Sequence, residues 1–348
     1  MKFEKNTTRI LVTGGSGFIG SNFILQQLLK TTNQILNLDK LTYAASINSL
    51  ENIKNNSRYK FVKGDICDNI LIKDILENFK PTYIVNFAAE SHVDNSIKMP
   101  DEFINTNILG VFNLLKNSRD YISTLKKEEK EQFKFLHIST DEVYGSLELE
   151  DPSFTEESPY RPSSPYSASK ASSDHLVFSW FKTYNFPAII TNCSNNYGPF
   201  QFPEKLIPLV IISCLNEKKI PLYGDGMNIR DWIYVEDHCN AIDQILIKGK
   251  IGNRYNIGSD NQLKNIDIIK IICNIMDDRV KRKNNLRYLD LLEFVKDRPG
   301  HDFRYAIDNT KIKEHIGWNP SISFEEGILR TIDWYLDNQD WFINKNKQ

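Results

Sequence analysis

A tyrosine and a lysine four residues apart, Tyr166 and Lys170, stand out in this 348-residue sequence as a pair that could do chemistry. Residues at this spacing share one face of a helix. A tyrosine has a pKa of about 10 in water and is a poor base at neutral pH. A nearby ammonium favours the phenolate, so the pair predicts a tyrosine that can accept a proton. The alternative is an ordinary Tyr/Lys pair on an exposed helix surface.

A threonine followed by two acids, Thr140, Asp141 and Glu142, is the second group that could move protons. The threonine hydroxyl can donate a hydrogen bond to a substrate hydroxyl. If both carboxyls face a cleft, one can act as an acid and the other as a base, because their surroundings push their pKa values apart. The alternative is that the two acids cap the start of a helix, where negative charge is favoured.

A glycine-rich turn, Thr13-Gly-Gly-Ser-Gly-Phe-Ile-Gly20, follows an apolar run and precedes a helical pattern. Its glycines let backbone N–H groups approach a pyrophosphate at a helix N-terminus. Asp39 lies 19 residues after Gly20. A carboxylate there accepts hydrogen bonds from ribose hydroxyls and repels a 2′-phosphate, which predicts NAD rather than NADP. A capping or turn role is the alternative for Asp39, and Asp65 could contact the adenine or be a turn residue.

The elements that must position these residues alternate between strands and helices. The predicted strands are Arg9–Val12, Gln34–Leu38, Tyr59–Val62, Tyr83–Phe87, Phe133–Ile138 and Ala188–Thr191. The predicted helices are Phe18–Leu29, Asn69–Phe79, Asp101–Lys116 and Ser164–Tyr184. This alternation is typical of βαβ units, and it predicts a Rossmann-type, doubly wound parallel sheet.

The pattern changes after residue 192, where prolines and a Gly-Asp-Gly turn punctuate shorter elements. We expect residues 1–192 to form the NAD-binding domain and residues 193–348 to form mainly a smaller α/β lobe that binds substrate. The border is diffuse, because a segment near residues 236–258, which contains Tyr255-Asn-Ile257, could return to the first sheet.

Composition narrows the class of protein. The chain has 43 basic and 45 acidic residues and a net charge of −2, which disfavours a nucleic-acid-coating role. No apolar run approaches the roughly 20 residues that span a bilayer, and the first nine residues lack an apolar signal region. The five cysteines are scattered and fit neither a disulfide framework nor a CxxC metal motif. We expect a soluble cytoplasmic protein without a metal site or a membrane partner.

Together these motifs resemble the extended short-chain dehydrogenases/reductases and, within them, the dTDP-glucose 4,6-dehydratases. The resemblance runs from Ile10 to about Tyr335. It rests on the stretches TGGSGFIGSNF, DKLTY, AAESHVD, STDEVYG, PYSASKASSD, NNYGPFQFPEKL, GDG followed by RDW, and DRPGH. The glycine motif and YxxxK mark only the superfamily. The Thr-Asp-Glu triplet marks the 4,6-dehydratases, because 4-epimerases have no such acid pair at that place.

The resemblance implies a full set of site residues. Those expected to catalyse are Thr140, Asp141, Glu142, Tyr166 and Lys170. Those expected to bind NAD are Gly14, Gly17, Phe18, Ile19, Gly20, Asp39, Lys40, Thr42, Asp65, Ile66, Ala88, Ala89, Thr106, Tyr166, Lys170 and Asn196. Those expected to bind substrate are Ser91, Thr140, Asn195, Lys205, Leu206, Pro221, Tyr223, Arg230, Asn265, Arg298 and His301. For a lone Lys or Arg such as Lys205 or Arg230, surface charge is the alternative.

The resemblance also implies the reaction. Tyr166 would take the proton of the 4-hydroxyl of dTDP-glucose while hydride passes from C4 to NAD⁺, and Thr140 would hold that oxygen. Glu142 would then remove the C5 proton, and Asp141 would protonate the departing 6-hydroxyl. Return of hydride to C6 would give dTDP-4-dehydro-6-deoxy-glucose, a precursor of deoxysugars such as rhamnose. A homodimer formed through Asp101–Lys116 and Ser164–Tyr184 is also implied.

Two other functions remain open from the sequence. A UDP-hexose 4-epimerase, or another NAD-dependent sugar-nucleotide enzyme, would share Asp39, Tyr166 and Lys170 but would leave Asp141 and Glu142 without a chemical task. A non-catalytic dinucleotide sensor would bind NAD without needing Tyr166. The choice between thymidine and uridine nucleotides depends on one methyl and one hydroxyl group, too small a difference to read from residue types.

Overall fold

The structure is a computed structural model that describes residues 7–282 and 286–343. Its strands are β1 (Arg9–Thr13), β2 (Gln34–Asp39), β3 (Tyr59–Lys63), β4 (Tyr83–Asn86), β5 (Lys134–Thr140), β6 (Ala188–Cys193), β7 (Asn195–Tyr197), β8 (Ile220–Tyr223), β9 (Ile229–Tyr234), β10 (Arg254–Ile257), β11 (Gln262–Lys264) and β12 (Leu292–Val295). Among the described residues, no helix is long and apolar enough to cross a membrane.

The helices complete the element list. They are α1 (Phe18–Lys30), α2 (Asn69–Phe79), α3 (Val93–Lys98), α4 (Pro100–Phe103), α5 (Val111–Thr124), α6 (Lys127–Gln132), α7 (Pro165–Tyr184), α8 (Leu206–Leu215), α9 (Val235–Lys248), α10 (Asn265–Arg279), α11 (Thr310–Ile316), α12 (Phe324–Asp337) and α13 (Gln339–Ile343). Short 3₁₀ helices occupy Ile47–Ile53, Asp141–Tyr144 and Tyr288–Leu291, and Ile104–Gly110 is a π-helix.

Seven parallel strands form the central sheet, in the order β10-β6-β5-β4-β1-β2-β3. The predicted Rossmann-type fold is confirmed. The return segment is confirmed as well, because Tyr255 lies beside Thr191 where β10 pairs with β6. From β1 the strands are added toward one edge of the sheet, and from β4 they are added toward the other edge. Ligands bind at this change of order, between β1 and β4, in doubly wound folds.

Alternate residues of the strands point to opposite faces of the sheet, and each face has its own hydrophobic core. Ile10 and Val12 of β1 pack with residues of α1, α9 and α11. Leu11, between them, packs on the other side with residues of α2, α5 and α7. Because both faces are covered, the strands are nearly continuous apolar runs.

A third hydrophobic core lies outside the central sheet and holds together the elements that follow β6. It combines α8, α10 and α12 with Trp232 and Tyr234 of β9. A three-stranded sheet, β11-β9-β7, and the parallel pair β12-β8 accompany it. The structure thus carries a second packed region, while the proposed border at residues 192 and 193 stays a prediction.

The predicted helix Asp101–Lys116 differs from the structure in one respect that bears on function. The helical stretch runs from Pro100 to Thr124, but its centre, Ile104–Gly110, is π-helical. A π segment has one extra residue per turn and often occurs at functional sites. Within it, the Asn107 amide bonds both Glu90 O and Ser169 Oγ, which ties the segment to α7.

Candidate active site

A cavity of about 290 Å³ opens at the carboxyl ends of the central strands. It begins at the glycine turn after β1, passes the ends of β2 and β4, and reaches Thr140 at the end of β5. Its far side is closed by residues 193–196 and by Gln201, Phe202, Glu204 and Lys205. The carboxyl ends of neighbouring parallel strands meet at one edge, which is why side chains distant in sequence converge here.

The glycine turn leaves room for a ligand at one position and none at the others. Gly14 has a φ of +70°, and a Cβ on it would lie 2.6 Å from Ala88 N. A Cβ on Gly20 would lie 2.4 Å from Gly14 O. On Gly17, the residue before α1, the nearest atom would be Gly14 O at 3.3 Å. Gly14 and Gly20 are therefore required by the fold, whereas Gly17 keeps a space beside a helix N-terminus, where a pyrophosphate fits.

Acidic side chains line the end of the cavity beside β2. Asp39 is buried, and its carboxylate accepts hydrogen bonds from Ser16 N at 2.8 Å and Leu41 N at 2.7 Å. Asp65 forms an ion pair with Lys40 at 2.9 Å, which helps to hold the pKa of Asp65 below its ordinary value. This end of the cavity suits ribose hydroxyls and disfavours an additional phosphate.

Helix α7 brings Tyr166 and Lys170 into the same cavity. Ser164 caps the helix by accepting a hydrogen bond from Ser167 N, and Pro165 is its first residue. Both functional side chains are buried, with 8% of Tyr166 and 3% of Lys170 exposed. The Lys170 ammonium donates a 2.7 Å hydrogen bond to Ile138 O of β5. The pair is thus not a surface pair.

The pKa of Tyr166 is raised in the chain without NAD. Burial and then the charge of Glu142 raise it well above its ordinary value, and a hydrogen bond with Thr140 opposes the rise only partly. The expected lowering depended on two cations, the Lys170 ammonium and the nicotinamide of bound NAD⁺, and in the chain without NAD burial and carboxylate charge dominate. A phenolate at Tyr166 therefore requires additional positive charge close to the ring.

The two carboxyls beyond β5 sit in a 3₁₀ helix and have distinct surroundings. Asp141 is 2% exposed, and no described group hydrogen-bonds its Oδ2. Burial and then the charge of Glu142 raise the pKa of Asp141 well above its ordinary value. Burial also raises the pKa of Glu142, but the nearby cations Arg298, Lys205 and Arg230 lower it. The pKa of both carboxyls is therefore raised, that of Asp141 the more strongly, so Glu142 is the easier of the two to ionise.

Sequence comparison identifies the relatives of this chain. The family model of the GDP-mannose 4,6-dehydratases matches residues 11–331. A dTDP-glucose 4,6-dehydratase of Neisseria meningitidis serogroup B is 52% identical over 338 residues, which cover 97% of this chain and 95% of the relative. The chain belongs to the dTDP-glucose 4,6-dehydratase family.

Solved structures agree with this family. The dTDP-glucose 4,6-dehydratase of Bacillus anthracis, solved in complex with NAD, is 43% identical, and the match covers 97% of this chain and all of that one with a TM-score of 0.85. A UDP-glucose 4-epimerase of Thermotoga maritima is 26% identical, and that match covers 95% of this chain and 100% of the epimerase with a TM-score of 0.83. The fold is thus shared with epimerases, while the higher identity lies with the dehydratases.

The cavity gathers most of the residues expected for this family. All sixteen residues that the sequence assigned to NAD line it. The lining also includes the catalytic set and, of the residues assigned to substrate, Ser91, Thr140, Asn195 and Lys205. The described residues bring together no group of His, Cys, Asp and Glu that could hold a metal ion.

The other residues assigned to substrate lie outside the cavity lining. They are Leu206, Pro221, Tyr223, Arg230, Asn265, Arg298 and His301. Two of them, Arg298 and Arg230, lie close enough for their charges to lower the pKa of Glu142 in the lining. Arg298 lies 3.8 Å from Asp94, and Tyr223 donates a 3.2 Å hydrogen bond to the same carboxylate. Arg230 is buried, donates to Ile229 O, Asp302 O and Phe303 O, and stacks on Tyr305. Their contact with a substrate stays a prediction.

The sequence did not single out several residues that line the cavity. Among them are Glu90, Cys193, Gln201, Phe202 and Glu204. Cys193 ends β6, the strand beside β5, so the order of the strands would have predicted it. The others lie in loops and are held by tertiary contacts. Tyr43 packs edge-to-face on Phe202, and its hydroxyl lies 3.3 Å from Glu204. Gln201 donates to Asn196 O at 2.8 Å, and Glu90 N donates to Asn107 Oδ1 at 2.8 Å. No local pattern predicts such a contact.

Proposed function

We propose that this protein is an NAD-dependent dTDP-glucose 4,6-dehydratase, a hydro-lyase that converts dTDP-glucose to dTDP-4-dehydro-6-deoxy-glucose. The observation that carries the proposal is the pair of carboxyls, buried Asp141 and half-buried Glu142, in the same cavity as Tyr166 and Lys170. A redox reaction at one carbon needs only the Tyr/Lys pair. An acid and a base with different pKa values are needed when water is also eliminated.

The residues around the glycine turn fit a dinucleotide. Gly17 would face the pyrophosphate, Asp39 the adenosine ribose and Lys170 the nicotinamide ribose, with Thr106 and Asn196 on the nicotinamide side. Bound NAD⁺ supplies the hydride acceptor for oxidation at C4 and, once reduced, the hydride donor for C6. The acidic end of the cavity, at Asp39 and Asp65, supports NAD over NADP.

Tyr166 is the proposed base for oxidation at C4. Its hydroxyl would accept the proton of the 4-hydroxyl, and Thr140 would hold the same oxygen. The raised pKa of Tyr166 in the chain alone means that positive charge must lie beside it in the working complex. Lys170, fixed by its bond to Ile138 O, provides one such charge.

Glu142 and Asp141 are the proposed base and acid of the elimination. A ketone at C4 acidifies the C5 proton, which Glu142 would remove. Asp141 would protonate the 6-hydroxyl so that it departs as water. The unpartnered Oδ2 of Asp141 and the raised pKa of this carboxyl support the acid role, and the cations near Glu142 support the base role.

We assign the substrate to the region that follows β6. Lys205 donates to Ser91 O at 3.1 Å, which brings its cation to the end of the cavity nearest Glu142. Such cations pair well with phosphate oxygens. The proposed division is residues 1–192 with the segment 236–258 for NAD, and 193–348 mainly for the sugar nucleotide. Of these, residues 1–6, 283–285 and 344–348 lie outside the described residues.

Mass spectrometry of the nucleotide sugar tests the function. The purified protein is incubated with dTDP-glucose, with and without added NAD, and UDP-glucose serves as the competing substrate. Loss of one water from dTDP-glucose supports the dehydratase. An unchanged mass with every combination contradicts it, and a changed sugar configuration at constant mass indicates an epimerase.

A homodimer is part of the proposal. Leu109 and Phe112 expose 52% and 42% of their surface along the stretch that precedes and begins α5, and Phe178 and Tyr184 of α7 are exposed as well. Two copies could bury these residues in a contact between helices. Leu109→Asp should then shift the mass measured by light scattering from dimer to monomer. Leu29→Asp, at an exposed apolar position of α1, is the matched control and should remain dimeric.

The proposed location is the cytoplasm. All five cysteines, Cys67, Cys193, Cys214, Cys239 and Cys273, are free thiols. Proteins with many free thiols are typical of reducing compartments. Cell fractionation tests this location, and recovery of the protein outside the cytoplasm would contradict it.

A further inference from the structure

A buried carboxylate lies one helical turn beyond Lys170, and the proposed reaction gives it no role. Asp174 of α7 is fully buried and does not line the cavity. Its Oδ2 accepts hydrogen bonds from Tyr160 OH at 2.7 Å, Ser139 Oγ at 2.9 Å and Asn192 Nδ2 at 3.2 Å. Burial raises the pKa of Asp174, but the contact with His137, the charge of Lys170 and the hydrogen bond from Tyr160 outweigh burial and hold this pKa below its ordinary value.

A series of polar contacts runs across the sheet, on the face that α7 covers, and ends close to the other oxygen of Asp174, Oδ1. Thr13 donates to Asn86 Oδ1 at 2.5 Å, which turns the Asn86 amide toward His137 Nδ1 at 3.1 Å. His137 Nδ1 therefore accepts, and Nε2 carries the proton. Nε2 lies 3.4 Å from Asp174 Oδ1 and 3.3 Å from Ser173 Oγ. This arrangement keeps His137 neutral, in agreement with its lowered pKa.

Lys170 needs a counterion because its ammonium is buried. One hydrogen bond, to Ile138 O, does not offset the loss of water around a charge. Burial lowers the pKa of Lys170, and Asp174 is the first charge that raises it. The titratable groups around this part of α7 begin with Asp174 on the helix itself, His137 from β5 and Cys193 from β6. Tyr160 and Arg254 also interact with Asp174, and Asp141 and Glu142 lie around Tyr166 one turn earlier.

The same carboxylate also holds the backbone that carries Thr140. Ser139, which bonds Asp174, directly precedes Thr140. Asn192 donates both to Asp174 and to Thr140 O, at 3.0 Å for the latter. Asp174 is therefore connected to both groups that the proposed function places at the 4-hydroxyl, the hydroxyl of Thr140 and the ammonium of Lys170.

We infer that Asp174 is the counterion of Lys170 and the anchor of the Ser139–Thr140 backbone, which makes it a positioning residue for proton transfer at Tyr166. This inference rests on the proposed function, since it assigns Asp174 a part in C4 oxidation. It acts through Lys170 and Thr140 and does not touch the substrate. Without its charge, Lys170 loses its proton at lower pH, while the shape of the site is retained.

Asp174→Asn tests the charge. The rate of C4 oxidation is measured against pH in a single turnover, from the absorbance of reduced nicotinamide, so that the elimination acids do not limit it. The alkaline limb of this profile should move to lower pH by about one unit or more, because a neighbouring opposite charge typically shifts a pKa by about 1–3 units. Asp174→Glu keeps the charge and should retain the wild-type limb.

Tyr160→Phe is the matched structural control. It removes one hydrogen bond from Asp174 but leaves the carboxylate. The inference predicts that the alkaline limb stays in place in this variant. If Tyr160→Phe and Asp174→Asn move the limb equally, or if neither moves it, Asp174 is only structural and the inference is wrong.

A second measurement does not depend on turnover. NMR of isotope-labelled lysine, with Lys170 assigned by Lys170→Arg, follows the ionisation of Lys170 in the protein without NAD. Lys170 should be protonated at neutral pH in the wild type and should titrate lower in Asp174→Asn, or in Asp174→Ser where the asparagine variant does not fold. A neutral Lys170 in the wild type at neutral pH would overturn the inference. A wild type that never converts dTDP-glucose would instead refute the proposed function.

Discussion

Replacing Glu142 by glutamine should separate the two halves of the proposed reaction. Glutamine has nearly the same volume, and the hydrogen bond from the backbone N of residue 142 to Thr140 Oγ1, 3.2 Å long, does not involve the replaced group. The folded structure should therefore change little. The variant cannot remove the C5 proton, and loss of a general base typically lowers the rate by about 10²- to 10⁴-fold. This corresponds to about 3–5 kcal/mol in the activation free energy of turnover.

Oxidation at C4 should survive this change or even accelerate. The charge of Glu142 is the second cause, after burial, of the raised pKa of Tyr166. Removing it lowers that pKa and makes the phenolate easier to form. The variant should therefore build up reduced nicotinamide at the wild-type rate or faster, without releasing the dehydrated sugar.

The assay is rapid mixing with dTDP-glucose, followed by absorbance of the reduced cofactor and by mass spectrometry of quenched samples. Asp141→Asn is the matched control, because it removes the acid and keeps the base. It should also oxidise C4 and stall before water is lost. Turnover of Glu142→Gln within a few-fold of wild type would refute the assignment of the base and would favour an epimerase-like reaction.

Three further results are expected. Gly17→Ala should fold normally but retain less NAD on purification. In Gly20→Ala the new Cβ would meet a backbone oxygen at 2.4 Å, so this variant should also have a lower melting temperature. Equal melting temperatures of the two variants would contradict the assignment of Gly17 to the pyrophosphate and Gly20 to the fold. Burial lowers the pKa of His238 from 6.5 to about 3, so this residue is neutral when folded and takes up a proton on unfolding. Between pH 6.5 and about 3, buried His238 should therefore lower the free energy of unfolding by about 1.4 kcal/mol for each unit by which the pH falls. Urea titrations at several pH values should find a smaller slope in His238→Gln. Turnover should rise with pH as Glu142 ionises, at a pH above its ordinary pKa of 4.5, and should fall when Asp141, whose pKa is held well above 3.8, loses its proton. A rate that is independent of pH would contradict the assignment of this acid and base.

Local pattern was sufficient to predict the first half of the fold. The glycine turn lies between β1 and α1, and α2 has the bounds Asn69–Phe79 that its periodicity indicated. The centre of the helix predicted at Asp101–Lys116 was wrong as a regular helix, because a π segment depends on tertiary bonds such as those of Asn107. Hydrophobic spacing carries no sign of such bonds.

The residues of the site could be predicted from the sequence, but the directions of their pKa shifts could not. Tyr166 and Lys170 were recognisable by type and spacing, yet the direction of the Tyr166 pKa depends on its burial and on Glu142. Asp174 was not singled out, because an acid on a helix is usually exposed, and the packing of α7 on β5 and β6 that buries this one cannot be seen in the local sequence. Residue type predicts which groups can react, and the surroundings decide which protonation state each of them holds.

That dependence on surroundings explains how two adjacent carboxyls can have opposite tasks. Asp141 and Glu142 share a 3₁₀ turn, and burial raises the pKa of both. For Glu142 the strongest charges are three cations, whereas for Asp141 they are two further carboxylates, Glu142 itself and Asp231. Ionisation of Glu142 therefore makes Asp141 hold its proton more tightly. The charge of the base thus helps to keep the acid protonated, and a substitution at either position should change the pKa of the other carboxyl.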